Sequence, residues 1–187
     1  RFRNRVEGFS EAAVVLPAAT RRDGSSMPPT CVFSLPYDGR GSLWLLTPAG
    51  LDRECLTPRS LGLDERTTRF GRAVEPGPDW DGDGIDDVIV TAIPADGALG
   101  SVFVVSIAER RVLFAKEDLD EWALAACAVP DLDGDGLDDL AVLSGPPAPR
   151  ARVVASKDGS VSRTIELAER LYRRWWRPDH RLRLVPQ

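Results

Sequence analysis

Ten aspartates of this 187-residue chain fall in two short runs: Asp79, Asp81, Asp83, Asp86 and Asp87, then Asp131, Asp133, Asp135, Asp138 and Asp139. Both runs read D-x-D-G-D-G-Φ-D-D, where Φ is Ile85 or Leu137. Carboxylates so crowded repel one another unless a cation sits among them. In a tight turn the side chains at positions 1, 3 and 5 converge on one point. A main-chain carbonyl at position 7 adds a fourth oxygen, and position 9 closes the shell from the start of the next element. Such an all-oxygen set suits a hard cation, and Ca²⁺ takes six to eight oxygens at about 2.3–2.6 Å. The expected ligands are Asp79, Asp81, Asp83, the Ile85 carbonyl and Asp87 at one site. At a second site they are Asp131, Asp133, Asp135, the Leu137 carbonyl and Asp139. The net charge is −5, and without these ten residues it would be +5, so the acidity is local to the two runs.

Helix–loop–helix calcium sites open with the same spacing but require an acidic ligand at position 12, on an exiting helix. Position 12 here is Val90 or Val142, each inside an apolar run that reads as a strand. Thrombospondin-type calcium repeats are Asp-rich too, but they carry cysteines and follow one another end to end. The two runs here are separated by what reads as two hairpins.

The elements that must hold these loops recur. The unit starting at Phe70, FGRAVEPGPDWDGDGIDDVIVTAIPADGALGSVFVV, returns from Trp122 as WALAACAVPDLDGDGLDDLAVLSGPPAPRARVV, and Asp79 becomes Asp131, 52 residues on. A weaker copy precedes them, in which Gly41-Ser42-Leu43-Trp44 matches Gly100-Ser101-Val102-Phe103 and only Asp23 survives of the acidic loop. Repeats of about 50 residues mean solenoids, propellers or arrays. The middle unit reads as four strands, at 71–75, 87–93, 101–106 and 111–116. Its runs Val88-Ile89-Val90 and Val102-Phe103-Val104-Val105 are continuously apolar and β-branched or aromatic, as strands buried on both faces are. Asp38-Gly39, Asp96-Gly97 and Asp158-Gly159 mark hairpin turns. We therefore expect an all-β chain: a β-propeller segment of about three four-stranded blades forming a partial ring. The blades span 8–62, 66–118 and 121–168, followed by an Arg- and Trp-rich tail at 169–187. Thr164 to Trp176 also admits a helix.

Phe70-Gly71, then DWDGDGIDDVIVTAIP, then GSVFVV resembles the FG-GAP repeat of integrin α-subunit propellers and their bacterial relatives. The third unit departs from the family's Gly-Ala-Pro, with Ser144-Gly145-Pro146 in its place. The resemblance covers roughly residues 8–168. It implies a propeller whose loops bind structural Ca²⁺, outside the cell or at its surface, in a secreted bacterial or adhesion setting. It further implies a non-catalytic scaffold for a protein or glycan ligand. The alternative is an accessory propeller of a secreted enzyme whose catalytic domain lies outside this chain. A partial ring leaves apolar flanks, so we expect further blades or self-association.

Other chemistry is thinly represented. The single histidine, His180, lies in the tail and reads as a surface residue, so we expect no enzyme. Cys31, Cys55 and Cys127 are too few for a disulfide scaffold; Cys31 and Cys55 fall on neighbouring strands and either pair or stay as thiols. The tail mixes Arg with Trp175 and Trp176, but it is short, and we expect no nucleic-acid partner. No apolar run reaches the ~18 residues of a membrane span. The start, RFRNRVEG, lacks Met, which leads us to expect a piece of a longer chain. Ligand-binding residues are expected on the loops opposite the acidic ones, where Tyr37 and Arg40 are the candidates.

Overall fold

The computed structural model describes residues 12–36, 40–64, 69–93, 100–119, 123–145 and 149–166. Among them every regular element is a strand. No helix of the described residues is long and apolar enough to cross a membrane.

The strands form three antiparallel four-stranded sheets and one small hairpin. The first sheet contains β1 (Ala13–Leu16), β4 (Thr30–Leu35), β5 (Ser42–Thr47) and β6 (Gly50–Leu51). Between β1 and β4 the chain makes the separate hairpin of β2 (Ala19–Thr20) and β3 (Ser26–Met27). The second sheet is the meander β7 (Val74–Pro76), β8 (Val88–Ala92), β9 (Gly100–Ser106) and β10 (Arg111–Leu119). The third is β11 (Ala123–Val129), β12 (Asp139–Ser144), β13 (Arg150–Val154) and β14 (Val161–Glu166). The sheets do not close into a barrel; they stack face to face, as in part of a propeller.

Alternation along the middle sheet produces the stack. Val88, Val90, Phe103 and Val105 point to one side and pack with Leu16, Val32, Leu43 and Leu45 of the first sheet. Ile89, Val102 and Val104 point to the other and pack with Ala126, Leu140, Val142 and Val154 of the third. A period of two sends successive side chains to opposite faces, so an all-apolar strand belongs where both faces are covered. Every residue of β8 and β9 is buried accordingly.

Phe70 ties the first two sheets together. It is fully buried, its ring lies 5.8 Å from that of Phe103, and it forms a parallel bridge with Gly41, its N–H donating to the Arg40 carbonyl at 3.0 Å. The expected first strand of this unit, 71–75, begins only at Val74. Gly71 takes a positive φ of 88°, and the N–H groups of Gly71 and Arg72 both donate to the one carbonyl of Thr91 on β8, a bulge that interrupts the regular ladder. The fourth strand runs on to Leu119, past the expected 116, by absorbing two register shifts. Residues 164–166 belong to β14; the rest of the segment that also admitted a helix, and the tail with His180, lie outside the described residues. All three cysteines are free thiols, so Cys31 and Cys55 do not pair.

The two outer faces of the stack are also apolar. Val15, Cys31, Leu46 and Leu51 stand in one cross-strand row on the first sheet, with Val15 68% exposed. Ala125, Leu143, Ala151 and Ile165 form the corresponding row on the third, with Ile165 50% exposed.

Candidate metal centres

Each acidic run forms the loop between the first and second strands of its sheet: β7 to β8, and β11 to β12. The two loops fold by closely similar internal hydrogen bonds, differing in one donor to the leading aspartate. In the first, Asp79 accepts from the N–H groups of Asp83 (3.0 Å) and Gly84 (2.8 Å), and Asp83 accepts from that of Ile85 (2.8 Å). In the second, Asp131 accepts from Gly134 (2.6 Å) and Gly136 (2.8 Å), and Asp135 from Leu137 (2.9 Å). The last aspartate reaches back in both, with Asp87 accepting from the Trp80 N–H at 2.8 Å and Asp139 from that of Leu132 at 2.9 Å. The short Asp side chains therefore wrap the backbone of each loop into a cup.

Carboxylate oxygens of Asp79, Asp81 and Asp83 lie within 4.8 Å of one another, as do those of Asp131, Asp133 and Asp139. Oxygens on opposite sides of one ion at about 2.4 Å would be separated by this much. Asp87 and Asp135 stand in the same loops but outside the two converging sets. Ile85 is buried and Leu137 partly exposed, which puts the first loop tighter against its neighbours than the second.

Asp139 provides the test of whether a cation fits. It is fully buried, and its Oδ1 has no hydrogen-bond partner. A buried acceptor oxygen without a partner carries a desolvation penalty that a cation beside it would offset. The donor set beside it is made only of hard oxygens, so a hard cation is what it fits. Asp87 tells the same from the first loop. Burial first, and then the charges of Asp81, Asp79 and Asp83, push its carboxyl up to about 7, against the Trp80 N–H that favours the ionised form. In the second loop Asp133 is raised by loss of water and then by Asp135, Asp139 and Asp131. Asp131 is lowered by the Gly136 and Gly134 N–H groups.

Three contacts around the first loop involve residues the sequence did not single out. Arg21, in the turn of the β2–β3 hairpin, places its guanidinium 3.0 Å from Asp83 Oδ2 and also pairs with Glu109. Arg111, opening β10, lies 3.0 Å from Asp81 Oδ2. Trp80 donates its indole N–H to the Asp138 carbonyl at 3.1 Å, so the first loop touches the second. The signal that could have found Arg21 is its place: it stands where the other two units carry their leading aspartates, Asp79 and Asp131. Of the ligand candidates on the opposite loops, Tyr37 lies outside the described residues. Arg40 is exposed and lines a groove of about 410 Å³ with Arg59, Gly62 and Leu63.

Compared with known protein families and with curated proteins, the chain matches none.

Proposed function

We propose that this chain is a calcium-stabilised, non-catalytic propeller segment of the FG-GAP, integrin-α-like kind. In this reading the two acidic loops brace stacked blades that present a surface to a protein or glycan outside the cell. The observation that carries the reading is the recurrence of one carboxylate cup at the same place in two stacked sheets, with a buried, unpartnered Asp139 oxygen in one of them. The cups sit on strand-connecting loops whose side chains also hold the backbone, which suits a brace.

Calcium modules of the extracellular kind bind with Kd on the order of 10⁻⁴ to 10⁻³ M. At ~1 mM Ca²⁺ and the tight end of that range each site contributes roughly 1.4 kcal/mol by mass action. Scanning calorimetry should show a higher Tm in Ca²⁺ than in EDTA. The Asp81→Ala, Asp133→Ala double variant should lose that difference. A folded wild type whose Tm ignores calcium would end the proposal.

A further inference from the structure

We propose that the first unit supplies the second with a resident cation, Arg21, so that the two acidic loops are unequal: 131–139 is the strong calcium site and 79–87 the weak one. This rests on the calcium reading above and goes beyond it. With Asp23-Gly24 set against Asp81-Gly82, Arg21 falls at the place of the first ligand, Asp79, and Arg22 at that of Trp80. The first unit has thus exchanged its own leading carboxylate for a guanidinium.

That guanidinium is aimed at the neighbouring loop. The hairpin is docked there by its backbone, with the Arg22 N–H donating to the Asp83 carbonyl at 2.9 Å. Its turn is fixed by Asp23, which accepts from both the N–H and the hydroxyl of Ser25. Arg21 then takes an oxygen of Asp83, and Arg111, from the other side, takes one of Asp81. Two of the three converging carboxylates of the first cup therefore already carry a positive partner. A metal entering that cup meets two guanidinium groups, that of Arg21 shared with Glu109, and must share or displace them. Among the described residues, no arginine or lysine pairs with Asp131, Asp133 or Asp139, and Asp139 Oδ1 is left without a partner.

Calorimetric Ca²⁺ titration of single-site backgrounds tests this. Asp133→Asn leaves only the first loop, and Asp81→Asn only the second. We expect the second loop to bind more tightly. Arg21→Gln or Arg111→Gln should tighten the first roughly tenfold, the size of a removed unit charge at a few ångströms in a wet site, and leave the second unchanged. Arg111 is 55% exposed, so its variant stands as the test if the Arg21 variant does not fold. Equal affinities that ignore both arginines, or arginine variants that weaken the first loop, overturn the inference and leave calcium binding standing. Absence of calcium binding in wild type and every variant overturns the calcium reading, and the inference with it.

Discussion

Asp87 sits behind three other carboxylates with almost no water, and its proton is held up to about 7 where an ordinary aspartate releases it near 3.8. The folded, metal-free protein therefore binds this proton more tightly than the unfolded chain does. The sign follows from linkage: the group's contribution to stability is full below the unfolded value and is lost as pH rises through about 7. In EDTA, Tm should fall between pH 6 and pH 8, and Asp87→Asn should remove much of that fall. Calcium favours the ionised form, so in excess Ca²⁺ the fall should shrink in the wild type. Calorimetry at the two pH values, with and without metal, checks both statements; a fall that Asp87→Asn leaves intact would place its origin elsewhere.

At the scale of elements, the two loops share a turn but not a setting. Gly84 and Gly136 occupy the same position with φ of 95° and 90°, a region that costs an L-residue about 1–2 kcal/mol. A Cβ on Gly136 would meet open space, whereas one on Gly84 would come within 2.7 Å of the Thr20 carbonyl oxygen. Gly136→Ala should thus cost about 1–2 kcal/mol in denaturant unfolding. Gly84→Ala should cost clearly more, because the β2–β3 hairpin must also back away. The loops were legible in the sequence because their ligands lie within nine residues of one another and their hydrogen bonds are local. The apolar runs of β8 and β9 were legible for the same kind of reason, a pattern read along one stretch of chain. The hairpin's role was not, since Arg21 meets Asp83 across 62 residues and only the stacking of two sheets brings them together.

At the scale of the whole molecule, the described residues form a stack of three sheets with a well-filled middle and two apolar ends. Val15, Leu46 and Leu51 at one end and Leu143 and Ile165 at the other are all exposed beyond a third of their surface. Soluble chains seldom leave such rows bare, and the faces inside the stack show what covers a row of this kind: another sheet. We predict that the isolated 187-residue chain self-associates and binds a hydrophobic dye, and that Val15→Lys with Ile165→Lys reduces both. Light scattering on the two proteins decides it; a monodisperse, dye-negative wild type would mean the ends are already covered. The all-β class and the three-sheet count could be read from the 50-residue recurrence. The order of packing could not, because nothing local tells which face of a strand meets which neighbour. The Phe70–Gly41 bridge that joins the first two sheets is likewise a meeting of distant residues.

The Trp80 indole stands between the two cups, flanked in sequence by Asp79 and Asp81 and hydrogen-bonded to Asp138. That makes it an antenna. Terbium takes the same hard oxygens as calcium and glows green far more strongly when a nearby excited indole hands over its energy. Illuminated in the ultraviolet, the protein should light terbium in both loops with Trp80 as a donor, and Trp80→Phe should dim both at once. The chain would then carry its own gauge of how full each cup is.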